Sequence, residues 1–229
     1  MTGIRYKKLS LLVTSLVGLL FLVAARPEAD DRQAGGIVGR ITFATPPLDE
    51  SFVPTDAVVY LTGEGLDDVP GVAGAEPSVS LLNQIDYTFV PRVLAVAPGA
   101  EIRFQNGDSE LHNIHTFAGD SQANRMFNRS QLPGSSFTRT FERPESILVR
   151  CDLHSQMIAH ILVLPNVFHT MPEEDGSYSI ASVPPGRYEL TAWHELFGRV
   201  TVPVEVASGE IAVVDLTFSD PLEYPPSTP

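Results

Sequence analysis

The chain has 229 residues, with 28 acidic against 15 basic side chains and a formal net charge of −13. That balance argues against nucleic acid as a partner and favours a cationic one. A single cysteine excludes any disulfide within the chain, so burial of apolar surface must hold the fold.

Arg5, Lys7 and Lys8 precede an apolar run from Leu9 to Ala25 that ends in Val23-Ala24-Ala25. A charged start, an apolar stretch and small residues before a cleavage point describe a signal peptide over residues 1–25. The body of the protein is then expected outside the cytoplasm, in a periplasm or its equivalent. The alternative is an uncleaved anchor, since about 17 apolar residues approach the length of a spanning helix. Membrane contact is expected only in that case. Residues 26–34 are polar and read as a stalk.

The first strands are expected at Ile37–Phe43 and Ala57–Leu61, with Pro46-Pro47 between them. Glu64–Pro77 is rich in Gly, Pro and Asp and reads as a loop. Val79–Leu82, Tyr87–Val90, Arg92–Val96 and Glu101–Asn106 follow as strands. The Pro98-Gly99-Ala100 turn predicts that the last two pair as a hairpin. Ala118–Pro133 reads as a long polar connection in which Met126 and Phe127 either cover a site or simply pack. Asn128-Arg129-Ser130 within it matches a glycosylation sequon. Strands resume at Phe137–Phe141, Ile147–Cys151 and Met157–Leu164. The pattern then restarts at Tyr178–Ile180, Arg187–Trp193, Arg199–Val206 and Ile211–Phe218. A Pro-rich tail, residues 219–229, is expected to be disordered. No segment sustains a 3.6-residue period, so the fold class is all-β.

The chemistry concentrates in Cys151-Asp-Leu-His154-Ser-Gln-Met157. Thiolate, imidazole and thioether are soft ligands suited to copper. With six His and four Met in 229 residues, His at +3 and Met at +6 of a given Cys arise by chance roughly once in two thousand. A lone thiol in an exported protein needs burial or a metal. Ile147, Val149 and Cys151 fall on one strand face, so the thiol points with the core residues. Upstream, Leu111-His112-Asn113-Ile114-His115 supplies further imidazoles. On a strand His112 and His115 face opposite ways, so only one can join a common metal.

These two segments make residues 79–165 resemble a cupredoxin, most closely of the amicyanin type with its short Cys-x-x-His-x-x-Met loop. The resemblance implies a Greek-key β-sandwich and one type 1 copper per chain. It implies His112, Cys151 and His154 as equatorial ligands, with Met157 axial. It gives Asn113 the place of the residue that ties the ligand segments together beside the sulfur. It leaves His115 outside the ligand set. His160 is expected at the surface or between domains, and His169 and His194 in structural roles.

Asp175-Gly-Ser-Tyr178 and Val183-Pro-Pro-Gly186-Arg-Tyr188 resemble the carboxypeptidase regulatory-like (transthyretin-like) sandwich. Gly36-Ile-Val-Gly39 and Ala57-Val-Val-Tyr60 fit the opening of that family. A second, smaller β-sandwich is therefore expected from residues 35–63 and 166–218, with the cupredoxin looped out between them. Two consecutive domains are the simpler alternative. The expected function is single-electron transport by a blue copper protein, not enzyme catalysis. Its partner is expected to be a cationic redox protein such as a c-type cytochrome. Copper delivery, and an adhesion or scaffold module with incidental copper, are the other readings.

Overall fold

The computed structural model describes residues 33–45, 54–66, 79–119 and 122–222. The expected signal peptide and nearly all of the stalk lie outside the described residues, as do most of the Glu64–Pro77 loop and the last seven residues of the tail. Among the described residues the protein is all-β, apart from one short 3-10 turn at Pro54–Asp56.

Two strands come first, β1 (Gly35–Phe43) and β2 (Val58–Thr62). Nine follow: β3 (Ser80–Ile85), β4 (Thr88–Val90), β5 (Val93–Val96), β6 (Glu101–Asn106), β7 (His112–Ala118), β8 (Arg125–Gln131), β9 (Ser136–Thr140), β10 (Glu145–Arg150) and β11 (Ile158–Val163). The last six are β12 (His169–Thr170), β13 (Ser177–Val183), β14 (Gly186–His194), β15 (Gly198–Val206), β16 (Ile211–Val213) and β17 (Leu216–Phe218).

The nine middle strands form two sheets, ordered β5-β11-β10-β7-β8 and β4-β3-β6-β9. Leu82, Ile102 and Phe104 from one sheet meet Ile114, Ile147, Val149 and Ile161 from the other in a single core. We call this the central sandwich. The flanking sandwich draws on both ends of the chain. Its sheets are β13-β1-β16, with β17 also on β1, and β12-β2-β14-β15. Ile37, Leu61, Ile180, Leu190 and Phe218 contribute to its own core.

The alternation of side chains explains how the two sandwiches meet. Val59 and Leu61 of β2 point into the flanking core, whereas Val58 joins a smaller cluster with Trp193. Ile161 and Val163 of β11 enter the central core, whereas Leu162 and Leu164 join that same small cluster. Strands buried on both faces read as unbroken apolar runs, which is how Ala57–Leu61 and Ile161–Leu164 look in sequence. Polar groups close the junction. Glu195 accepts from Arg92 at 2.6 and 2.9 Å and pairs with His160 Nε2 at 2.9 Å, while the His160 ring lies 5.3 Å from Trp193. His160 thus sits between the sandwiches.

The C-terminal motifs have physical roles here. A Cβ on Gly39 would stand 1.7 Å from the Val214 carbonyl, so only glycine lets β1 approach that segment. Tyr178 donates its hydroxyl to the same carbonyl at 2.5 Å. Gly176 sits at φ 82°, a backbone region that side chains disfavour, in the turn before β13. Tyr188 reaches back to Pro184 O at 2.8 Å and closes the Pro-Pro-Gly turn.

Three expectations need correction. β5 and β6 are not a hairpin: β5 runs parallel to β11, and β6 pairs with β3 and β9 in the other sheet. The Pro98-Gly99 turn carries the chain across the sandwich, because alternation fixes a strand's buried face but not its partner. The strand expected over Ile211–Phe218 is broken at Val214-Asp215, where Asp215 accepts the Arg40 N–H at 2.9 Å. The polar stretch after Ala118 contains β8, which pairs with β7 along His112–Phe117. Met126 there is exposed, and Phe127 packs against Phe104 and Phe137.

Candidate metal centre

The register of β7 on β10 builds the site. Arg150 lies opposite His115, so the first residues of β7 run past the end of β10. His112 therefore comes to the loop that joins β10 to β11. Loop residues 151–157 are closed at the base by Cys151 N–H to Met157 O, 3.2 Å, and Met157 N–H to His154 O, 3.1 Å. A loop this short, braced twice, holds its side chains in fixed directions.

His112, Cys151 and His154 converge there. The two Nδ1 atoms are 3.0 Å apart, and Cys151 Sγ lies 4.0 Å from His112 Nδ1 and 3.7 Å from His154 Nδ1. The circle through these three atoms has a radius of about 2.1 Å, close to the bond lengths of first-row metals to imidazole and thiolate. A metal ion fits this donor set by size and by softness. His112 and Cys151 are buried, and His154 is half-buried. Met157 is fully buried and belongs to the same core cluster as Cys151.

Asn113 bridges the two ligand segments. Its Oδ1 accepts the Asp152 N–H at 2.7 Å and lies 3.2 Å from Cys151 Sγ. Its Nδ2 donates to Asn128 Oδ1 at 2.7 Å and Asp152 Oδ2 at 3.0 Å. The sequon residue Asn128 is itself committed, donating to Asp152 at 2.6 Å. His115 points elsewhere: it is buried, pairs with Asp152 Oδ1 at 2.8 Å and lies tilted against Phe117. Burial opposes ionisation of Asp152, yet bonds from His115, Asn128 and Asn113 hold its carboxyl below the usual carboxylate range.

Three residues at the site were not foreseen. Asp152 is one. Asp108 faces His112 Nε2 at 2.7 Å. Tyr87 places its ring edge-on to both imidazoles, 5.6 Å from His112 and 4.9 Å from His154. The only sequence cue was Asn106-Gly-Asp108-Ser, a turn signature just before the histidines. His169 and His194 lie in the flanking sandwich. Burial pushes His169 below its ordinary value. It also brings His194, packed among Phe43, Phe197 and Phe218, down to about 4.

No family model matches the chain, and no curated protein matches it in sequence. Solved structures resemble it in part. The purple cupredoxin from Nitrosopumilus maritimus shares 20% identity over 37% of this chain and 98% of its own, with a TM-score of 0.33. A reduced amicyanin variant shares 16% over 46% of this chain and 97% of its own, with a TM-score of 0.34. The copper-containing nitrite reductase from Thermus scotoductus SA-01 shares 22% over 38% of this chain, with a TM-score of 0.34, and only 23% of that enzyme is spanned.

Proposed function

We propose that the protein carries single electrons at one type 1 copper, which His112, Cys151 and His154 would hold, with Met157 as a further, weak soft donor. The observation that carries this reading is the donor triangle, sized for one metal and made of two imidazoles and a thiol. Copper, if bound there, would supply a one-electron couple. The chain's own part is to hold the donors still. β7 and the braced loop fix the imidazoles, Asn113 locks the loop to β7, and the core keeps water from Cys151 and Met157. A metal held by these three donors, with Met157 as a fourth, would have no open position for a substrate, so we propose a carrier and not a catalyst.

The decisive experiment is Cu(II) addition followed by voltammetry. We expect one copper per chain, intense blue colour and a reversible one-electron wave. Tight Cu(I) binding without a reversible wave would favour copper delivery. A colourless complex would end the type 1 assignment. Met157→Leu should keep the colour and raise the potential, since removing a donor to Cu(II) favours Cu(I). Loss of all copper in that variant would make Met157 an essential ligand.

We further propose an extracytoplasmic location, on the charged and apolar N-terminal segment, and a cationic redox partner such as a c-type cytochrome. The support for the partner is the net charge of −13. Rates of electron transfer to a basic cytochrome should fall as salt rises, because the screening length is about 8 Å near physiological ionic strength. Rates indifferent to salt would leave the acidic surface to solubility alone. We propose the flanking sandwich as a carboxypeptidase regulatory-like fold into which the copper sandwich is inserted. The roles of Gly39, Gly176, Tyr178 and Tyr188 support that reading.

A further inference from the structure

We propose that Asp108 is a positioning residue for the metal site, fixing the tautomer of His112 and holding the turn that sets Tyr87 against both imidazoles. The part that concerns copper rests on the function proposed above.

One carboxylate makes three contacts. Oδ1 accepts the Asp86 N–H at 2.6 Å, and Oδ2 accepts the Tyr87 N–H at 3.0 Å and faces His112 Nε2 at 2.7 Å. Asp86 and Tyr87 have φ of 49° and 60°. Two consecutive non-glycine residues in that region are strained and need outside support. Asp108 supplies it through both N–H groups. The carboxylate is itself aimed. The Asp108 backbone N–H donates to Asn106 Oδ1 at 3.0 Å, and Asn106 is fully buried, donating to Glu110 O and Gln131 O at 2.8 and 3.0 Å. A buried polar network in the central sandwich thus ends at the far nitrogen of a ligand ring.

The consequence for His112 follows from hydrogen-bond chemistry. A carboxylate accepts, so the proton sits on Nε2 and the lone pair on Nδ1. Nδ1 is the atom that faces His154 and Cys151. A carboxylate behind a ligand imidazole also raises its basicity. More basic imidazole favours Cu(II) over Cu(I), so Asp108 should lower the potential.

Asp108→Asn tests this. Partners of this kind are typically worth 10–100-fold in metal affinity, and we expect Cu(II) binding to weaken by at least tenfold. Each tenfold loss for Cu(II) relative to Cu(I) reads as about 59 mV upward for a one-electron couple. The effect should persist in an Asp86→Gly background, where the turn needs less support. In the metal-free protein, nitrogen NMR of the ring should show His112 protonated on Nε2, with that preference lost in Asp108→Asn. A wild-type His112 protonated on Nδ1 would overturn the proposal. So would unchanged affinity and potential in Asp108→Asn, or an effect that vanishes with Asp86→Gly. If the unaltered protein takes up no Cu(II), the copper reading fails and the ring tautomer alone decides the role of Asp108.

Discussion

Cys151→Ser is expected to abolish the blue colour completely while leaving the fold nearly as stable as before. The colour of such a site comes from charge transfer out of a thiolate, which an alkoxide or hydroxyl cannot reproduce. The hard oxygen is also a poor donor to copper, so affinity should fall with the absorption. The fold should tolerate the change for a local reason. Cys151 Sγ lies 3.2 Å from Asn113 Oδ1, and a serine hydroxyl there has an acceptor waiting. A satisfied buried hydroxyl differs from a thiol by about 1 kcal/mol. Loss of colour with an unchanged melting profile would therefore assign Cys151 to the metal. The histidines give the matching contrast. His112→Ala should also destroy the site, because its Nδ1 is a corner of the donor triangle. His115→Ala should keep the colour, because that ring turns to Asp152. The reverse pattern would place the copper on the wrong imidazole, and a blue Cys151→Ser protein would remove it from the thiol.

Much of this geometry was legible because it is local. A three-residue step from Cys151 to His154 and another to Met157 describe one tight loop, and alternation along Ile147, Val149 and Cys151 turns the thiol inward. The convergence of His112 with that loop needs only that β7 pair with β10. The contacts that escaped are non-local. Asp108 reaches Asp86 and Tyr87 because β3 runs parallel to β6, with Gln84 opposite Asn106. No periodicity announces a parallel pairing between strands about 20 residues apart. The same blindness produced the false β5–β6 hairpin. The break between β16 and β17 was hidden for another reason: it depends on Gly39 of β1 pressing against Val214, a close approach made from more than 170 residues away. The motif residues of the flanking sandwich were visible, but their jobs were not. Tyr178 and Gly39 turn out to share one carbonyl.

Glu195→Ala is expected to destabilise the protein by about 3 kcal/mol and leave the copper spectrum unchanged. Glu195 is almost wholly buried and takes Arg92 on one oxygen and His160 on the other. Burial works against its ionisation, but the His160 and Arg92 bonds hold its carboxyl below the usual range. Removing it leaves two cationic or polar groups at the junction without this acceptor. The loss is moderated because Arg92 is a third exposed and can reach water. In urea the midpoint should drop by roughly 1 M or more. Glu195→Gln should lose less, since its amide oxygen still accepts from Arg92. The pH profile separates the junction from its neighbour. A carboxylate with a lowered folded pKa stabilises above the unfolded value and loses that support as pH falls through the folded one. The Glu195 contribution should therefore fade below about pH 4.5, and Glu195→Ala should flatten that limb. A second limb should survive. His194 is held neutral by burial down to about pH 4, whereas an unfolded histidine protonates near 6.5, so stability falls between those values. The Glu195 charge favours protonated His194, so its removal should extend this limb downward rather than erase it. The proposed metal site belongs to a different core, and its donors make no contact with Glu195 among the hydrogen bonds and ion pairs of the described residues. A Glu195→Ala protein that lost its colour along with its stability would show that the junction, and not the central sandwich alone, holds the donor triangle in shape.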